Sequence, residues 1–229
     1  MLTDKAAAPP KIPTRERVLD AAERLLAQGD ATFSMRELAQ EAGVSFATPF
    51  NQFGSKGAIM LALSERRIAA MRARLTAAAL PGAAVDRVML AVEIAASVML
   101  EKPAVNRAVM GSIGALADAP GDVFAQSSSL WREALGEGEG LAPETGDVAL
   151  KTLPASLAMA FRGALSFWTA GEIFDGELEQ RAKAAAAAVL LGFAGLRDRL
   201  SLLALLDGAR AISEDDALAF SDRAQSRPR

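Results

Sequence analysis

Apolar residues recur along this chain at helical spacing, with almost no competing pattern. Val18, Leu19, Ala22, Leu25 and Leu26 fall at i, i+1, i+4, i+7 and i+8, one stripe of a helix that starts near Thr14 and stops at Gly29. Ser34-Met35-Arg36-Glu37 has the form of a capping box, a hydroxyl followed three residues later by a carboxylate. It opens a second helix with Met35, Leu38, Ala39 and Ala42 on one face, ended by Gly43. Ser45 reads as the N-cap of a very short third helix to about Phe53. Gly54-Ser55 stops that helix and caps a fourth, Lys56 to about Leu80, closed by Pro81-Gly82. Further helices are predicted at about 85–101, 103–117, 122–136, 147–171 and 177–206, with breaks at Lys102-Pro103, Ala119-Pro120-Gly121, 136–143 and 171–176. Ser213 to Asp216 reads as the cap of a short final helix, and Ser221 to Arg229 as a frayed end. No stretch alternates with period 2, tyrosine is absent and β-branched residues are sparse, so the expected fold class is all-α. Three segments follow: a disordered Ala/Pro/Lys-rich arm over 1–13, a helix-turn-helix unit with its connecting fourth helix over 14–80, and a larger helical body over 81–229.

Composition removes several kinds of chemistry. Of the 229 residues 51% are apolar, enough for a sizeable core, while cysteine and histidine are both absent. Disulfides, Cys/His zinc sites, cysteine nucleophiles and histidine-based triads are therefore excluded. No paired-carboxylate motif or phosphate loop replaces them, so no catalytic residue, cofactor or metal is expected, and Glu137-Gly138-Glu139-Gly140 reads as a flexible loop. The longest apolar run, Ala184 to Leu196, falls short of the roughly 18–20 residues of a membrane span, so no membrane partner is expected. The N-terminus shows no apolar signal region, and the lack of cysteine fits a reducing compartment; a cytoplasmic location is expected. Charge is uneven: 11 Lys/Arg against 8 Asp/Glu over residues 1–80, but 14 against 20 beyond, for −3 overall. A basic head on an acidic body points to a partner for the head alone, although ordinary fluctuation gives differences of this size.

The informative motif lies in that head. The second and third helices, joined by Glu41-Ala42-Gly43-Val44-Ser45, spell a helix-turn-helix: glycine supplies the positive φ of the tight turn, and small Ala39 permits close approach. At 100° per residue Phe46, Pro49, Phe50 and Phe53 share one face of the third helix, and Ala47, Thr48, Asn51 and Gln52 the other. The second face is small, polar and uncharged, suited to hydrogen-bond base edges and touch thymine methyls. Arg36 on the preceding helix is placed to reach a base or a phosphate. Ser34, Ser45 and Ser55 mark helix N-termini whose N–H groups suit phosphates, and Lys56 adds a cation. The same spacing also fits a structural three-helix unit that binds no DNA.

Residues Arg15 to about Leu63 resemble the DNA-binding domain of the TetR/AcrR family of bacterial transcriptional regulators. The resemblance is carried by Arg17 to Ala22, Leu25 to Gly29, Ser34 to Ala39, Glu41 to Ser45, Thr48, Phe53, Ser55 and Lys56. It implies a homodimer on a pseudo-palindromic double-stranded DNA operator, usually a repressor released by a small-molecule effector that shifts the fourth helix and changes the separation of the heads. By position it implies base contact for Arg36, reading of bases and phosphates by Phe46, Ala47 and Thr48, and a phosphate contact for Lys56. Phe50 and Gln52 depart from the family's usual aromatic hydroxyl and histidine, and Pro49 removes a backbone N–H inside the first turn. A helical adaptor that no longer binds DNA is the alternative these departures permit.

Two stripes with one spacing close the body: Leu157, Phe161, Ala164, Leu165 and Trp168, then Ala182, Ala186, Val189, Leu190 and Phe193. The resemblance implies that this helix pair meets its two-fold mate in a four-helix interface; an intramolecular core pair has the same pattern. Met89, Met99, Met110, Phe124, Trp131 and Phe167 are candidate walls of an effector pocket, adaptable or aromatic side chains suited to an apolar or amphipathic ligand, although plain core is the commoner place for each. Arg107 and Arg162 lie in apolar helices, to be paired with an acidic ligand or with Glu93, Glu133 or Glu172.

Overall fold

A computed structural model describes residues 12–29, 32–80, 82–114 and 121–208. The expectations for residues 1–11, for 115–120 and for the segment beyond 208, including Ser213 to Asp216 and Ser221 to Arg229, lie outside these residues. The described chain is helical: α1 Thr14–Ala27, α2 Met35–Glu41, α3 Ala47–Phe53, α4 Lys56–Ala77, α5 Ala84–Leu100, α6 Pro103–Ile113, α7 Val123–Leu135, α8 Gly146–Ala170, α9 Leu178–Leu190 and α10 over 196–208. A short 3-10 turn, Pro143–Thr145, leads into α8.

The apolar stripes gather into two clusters. In the first, Val18, Leu19, Ala22 and Leu26 of α1 meet Leu38 and Ala42 beside the turn and Ile59, Met60 and Leu63 of α4. Val105 and Val109 of α6 complete it from the far side of the chain. The second cluster holds the rest of the body, from Met71 and Leu75 of α4 to Leu190, with Trp131 and Trp168 fully buried. Helix α4 therefore runs through both. A polar hub fastens the two where α1, α4 and α6 meet. Glu23 is buried; it accepts from Arg67 at 2.5 Å, Lys102 at 2.6 Å and Arg66 at 3.3 Å. Arg67 also donates to Asn106 Oδ1 at 2.8 Å, and Asn106 Nδ2 donates to the Met99 carbonyl at the end of α5. Arg66 reaches Asp20 at 2.7 Å. Burial alone raises the Glu23 pKa; the hydrogen bond from Lys102 and the charges of Arg67 and Lys102 outweigh it and hold the carboxyl below its ordinary value.

Three expectations are corrected. The helix expected over 177–206 is two helices. Ala142 N–H donates to the Phe193 carbonyl at 2.8 Å and Gly195 N–H to the Gly140 carbonyl at 3.0 Å. This pairing breaks the helix, and a Cβ on Gly195 would sit 2.7 Å from the Gly140 oxygen. Second, Glu137 to Gly140 is a pinned loop: Glu139 pairs with buried Arg87, and its carbonyl accepts from Ala84 N–H at 2.7 Å. Third, the stripes assigned to a subunit interface face inward. Leu157, Phe161, Ala164, Leu165 and Trp168 are buried within the single chain, as are Ala182, Ala186 and Leu190, while Val189 and Phe193 pack against the same cluster. The most apolar stripe of each helix goes to the core, where it removes the most surface from water. What α8 presents outward is a different stripe: Val148, Thr152, Met159, Phe167 and Ala170 are exposed, with Ala155 and Gly163 half-buried between them.

Candidate nucleic-acid interface and effector cavity

The turn between α2 and α3 is held from three sides. Ser34 Oγ accepts from Glu37 N–H at 3.2 Å and Glu37 Oε2 accepts from Ser34 N–H at 2.7 Å, the reciprocal capping box. Gly43 takes the left-handed conformation the turn needs, at φ +62°. Arg17 of α1 donates to the Ala42 and Gly43 carbonyls at 2.8 and 3.0 Å. The second and third helices thus form a stiff platform on α1, and Ser55 Oγ, accepting from Ala58 N–H at 3.1 Å, starts α4 immediately after it.

Helix α3 rests on Pro49, which is buried, and Phe53, which is half-buried; Phe46 and Phe50 were expected beside them but point to solvent. They are 56% and 42% exposed and meet edge to face at 5.6 Å between ring centroids. The outward face is thus Phe46, Ala47, Phe50, Asn51 and Gln52, all exposed. Arg36 is exposed beside it, its guanidinium 5.9 Å from the Phe46 ring centroid. Ser45 does not cap α3 through the backbone: its Oγ lies 2.7 Å from Thr48 Oγ1, and Thr48 N–H donates to the Ser45 carbonyl at 2.9 Å, a tight first turn. Proline at position 49 has no N–H to offer that turn. Thr48 is half-buried.

Lys56 hydrogen-bonds the Thr32 hydroxyl and lies 4.7 Å over the Phe33 ring. Partial burial lowers its pKa, with the Glu37 charge opposing that shift. The sequence reading missed Arg15, which donates to the Gln52 carbonyl at 3.3 Å and stacks 4.3 Å over the Phe53 ring. It brings a cation from the start of α1 to the end of α3; a long-range contact of this kind leaves no local signature.

The body holds a cavity of about 250 Å3 between α4, α5, α6, α7 and α8. Of the six candidate residues, Met99, Met110, Phe124 and Trp131 line it; Met89 and Phe167 do not. Met89 packs partly buried against the core, and Phe167 lies on the outer face of α8. Ile68 and Met71 of α4, Leu130 of α7 and Phe161 and Leu165 of α8 complete the apolar wall, and Arg67, Asn106 and Arg162 are its polar members. Arg107 is elsewhere: it pairs with Asp175 at 2.7 Å, over the Trp168 ring, rather than with Glu93, Glu133 or Glu172. Glu93 instead meets Lys183 at 2.5 Å, and Glu133 meets Arg72 at 2.9 Å.

Among the described residues no helix is long and apolar enough to cross a membrane. Residues 18–63 match the family described as bacterial regulatory proteins, tetR family. No curated protein matches the chain in sequence. Among solved structures, a TetR transcriptional regulator from Rhodococcus sp. RHA1 superposes with a TM-score of 0.60 at 22% identity, over 77% of this chain and 96% of that one. TylP, a TetR regulator from Streptomyces fradiae, superposes with a TM-score of 0.51 at 16% identity, over 86% of this chain and 97% of its own. Residues 18–63 thus carry the N-terminal domain of the tetR family, and the described chain shares the all-helical fold of these two regulators.

Proposed function

We propose that the protein is a dimeric transcriptional repressor of the cytoplasm that binds a pseudo-palindromic operator and is released by a small apolar or amphipathic effector. The carrying observation is the outward face of α3. Two aromatic rings, a methyl and two amides are held exposed on a stiff platform, and burial inside the chain claims none of them. Placed in a major groove, Asn51 and Gln52 read base edges, Ala47 and Phe46 meet thymine methyls, and Arg36, Arg15 and Lys56 lie toward the phosphates. Residues 14–80 form the DNA-binding unit and residues 81–229 the effector and dimerisation unit.

The second copy docks on the outer stripe of α8, Val148, Ala155, Met159, Gly163 and Ala170, whose small residues allow close helix approach. An effector in the cavity acts on the heads through α4, because Ser64, Arg67, Ile68 and Met71 line the cavity while Ile59, Met60 and Leu63 sit in the helix-turn-helix core. Selection of bound fragments from sheared genomic DNA of the source organism tests the reading. Enrichment of one pseudo-palindrome, with preference relaxed in Asn51→Ala and Ala47→Gly, supports it. A folded dimer that enriches nothing sinks it in favour of a helical adaptor.

A further inference from the structure

The cavity is chemically uneven. Ile68, Met71, Leu130 and Leu165 make its wall apolar, yet two nitrogen donors on that wall meet no oxygen acceptor among the described residues. Trp131 is 1% exposed, and its Nε1 has no partner among the described residues. Arg162 of α8 is half-buried; among the described residues its guanidinium meets the Met110 thioether at 4.0 Å, and no carboxylate pairs with it. Burial pushes its pKa below the ordinary arginine value, with no acidic group among the described residues opposing the shift.

The other arginines of this region are satisfied. Arg67, on the same cavity, has Glu23 and Asn106, and Arg107 has Asp175. Arg162 also lines a neighbouring cleft formed with Gly111, Gly114, Ser166 and Thr169. The guanidinium therefore stands where the inner cavity meets that cleft.

A desolvated guanidinium is costly until an anion pairs with it, and its planar fork accepts an oxyanion through two parallel hydrogen bonds. A neutral ligand leaves that cost in place, and a cationic ligand adds repulsion to it. We infer that the effector is an amphipathic anion, an apolar body filling the inner cavity and a single oxyanion head, carboxylate or phosphate, held by Arg162 at the cleft side. This deepens the effector reading above and rests on it. A cavity of about 150 Å3 holds benzene, so about 250 Å3 suits a body and head of about ten non-hydrogen atoms. Octanoate has that size.

The test titrates the full-length protein, without DNA, with octanoate, octyl phosphate, 1-octanol and octylamine. Calorimetry gives the affinity, and tryptophan fluorescence reports on Trp131. The better of the two anions is expected to bind about 10- to 100-fold more tightly than octanol, the worth of one charge-assisted pair, and octylamine most weakly. Which anion leads tells the head group. Arg162→Met keeps the side chain's length and removes its charge; it should abolish the anion preference and leave octanol affinity unchanged. Arg162→Lys should restore part of the preference. The inference is overturned if neither anion binds saturably, if octanol binds as well as both, or if folded Arg162→Met retains the preference. DNA release is read separately. An anion that binds through Arg162 without altering operator affinity supports the head-group assignment and sinks the effector reading. Operator release by octanol but by neither anion overturns the head group alone.

Discussion

Replacing Glu23 by glutamine removes a charge on which Arg66, Arg67 and Lys102 converge, at almost unchanged volume. Its consequence follows from what each cation keeps. The Arg67 side chain is 14% exposed and loses the charge of its 2.5 Å partner, keeping only neutral amide oxygens, that of the substituted side chain and that of Asn106. The Lys102 side chain is 54% exposed and returns to water, and Arg66 keeps Asp20 and Glu16. Breaking a buried pair from one side costs about 3–5 kcal/mol, chiefly through the stranded charge. With one cation stranded and two accommodated, the lower end applies, about 3 kcal/mol, or roughly 6–12 °C in Tm for a chain of this size. Urea and thermal unfolding measure the loss, at matched protein concentration because the proposed dimerisation would add to apparent stability.

The pH dependence supplies a second, independent reading. Glu23 titrates below its ordinary 4.5 in the folded protein. Its contribution is therefore complete above the unfolded value and disappears as pH falls through the lowered folded value. The gap between wild type and Glu23→Gln should be full at neutral pH and close in acid. A loss under about 1 kcal/mol, the worth of a solvent-exposed pair, or a gap that stays constant into acid, would refute the reasoning.

Four further outcomes are expected. Gly43→Ala forces a Cβ into the left-handed region and against Arg17 at 3.3 Å, and should cost about 1–2 kcal/mol in thermal unfolding. Gly195→Ala places its Cβ against the Gly140 carbonyl, so it should destabilise by about 1–3 kcal/mol and loosen the joint between α9 and α10, visible as faster amide exchange there. Met159→Glu, on the exposed stripe of α8, should yield a folded monomer by analytical ultracentrifugation; an unchanged dimer would move the interface elsewhere. Ser34→Ala removes one half of the capping box and should cost about 1 kcal/mol with a matching fall in operator affinity.

The head was legible because its signals are local. Capping hydroxyls at Ser34 and Ser55, the turn glycine at 43 and short amphipathic repeats each act within one helical turn, and the structure uses them in place. What was misread depends on partners distant in sequence. The stripe from Leu157 to Trp168 is the most apolar on its helix, and periodicity cannot say whether the chain or a second copy covers it. The weaker stripe around Met159 and Gly163 was overlooked because small residues carry little hydrophobic signal. The break after Leu190 comes from hydrogen bonds to the loop at Gly140 and Ala142, and the alanine-rich pattern runs straight through it. Phe46 and Phe50 defied the usual burial of aromatic side chains because Pro49 and Phe53 already seat α3.

The valines of α6 have a consequence for modularity. Val105 and Val109 complete the helix-turn-helix core, although they lie more than twenty residues beyond the proline that closes α4 in the sequence. A chimera that grafted residues 1–80 onto a foreign body would open their seats to water, at roughly 1.5–3 kcal/mol for each buried valine. It would also strip Lys102 from Glu23 and Asn106 from Arg67. The DNA-reading head is thus not an exchangeable cassette. On the proposed reading, operator preference is re-engineered on the α3 surface, whereas the head's core needs the first two turns of α6.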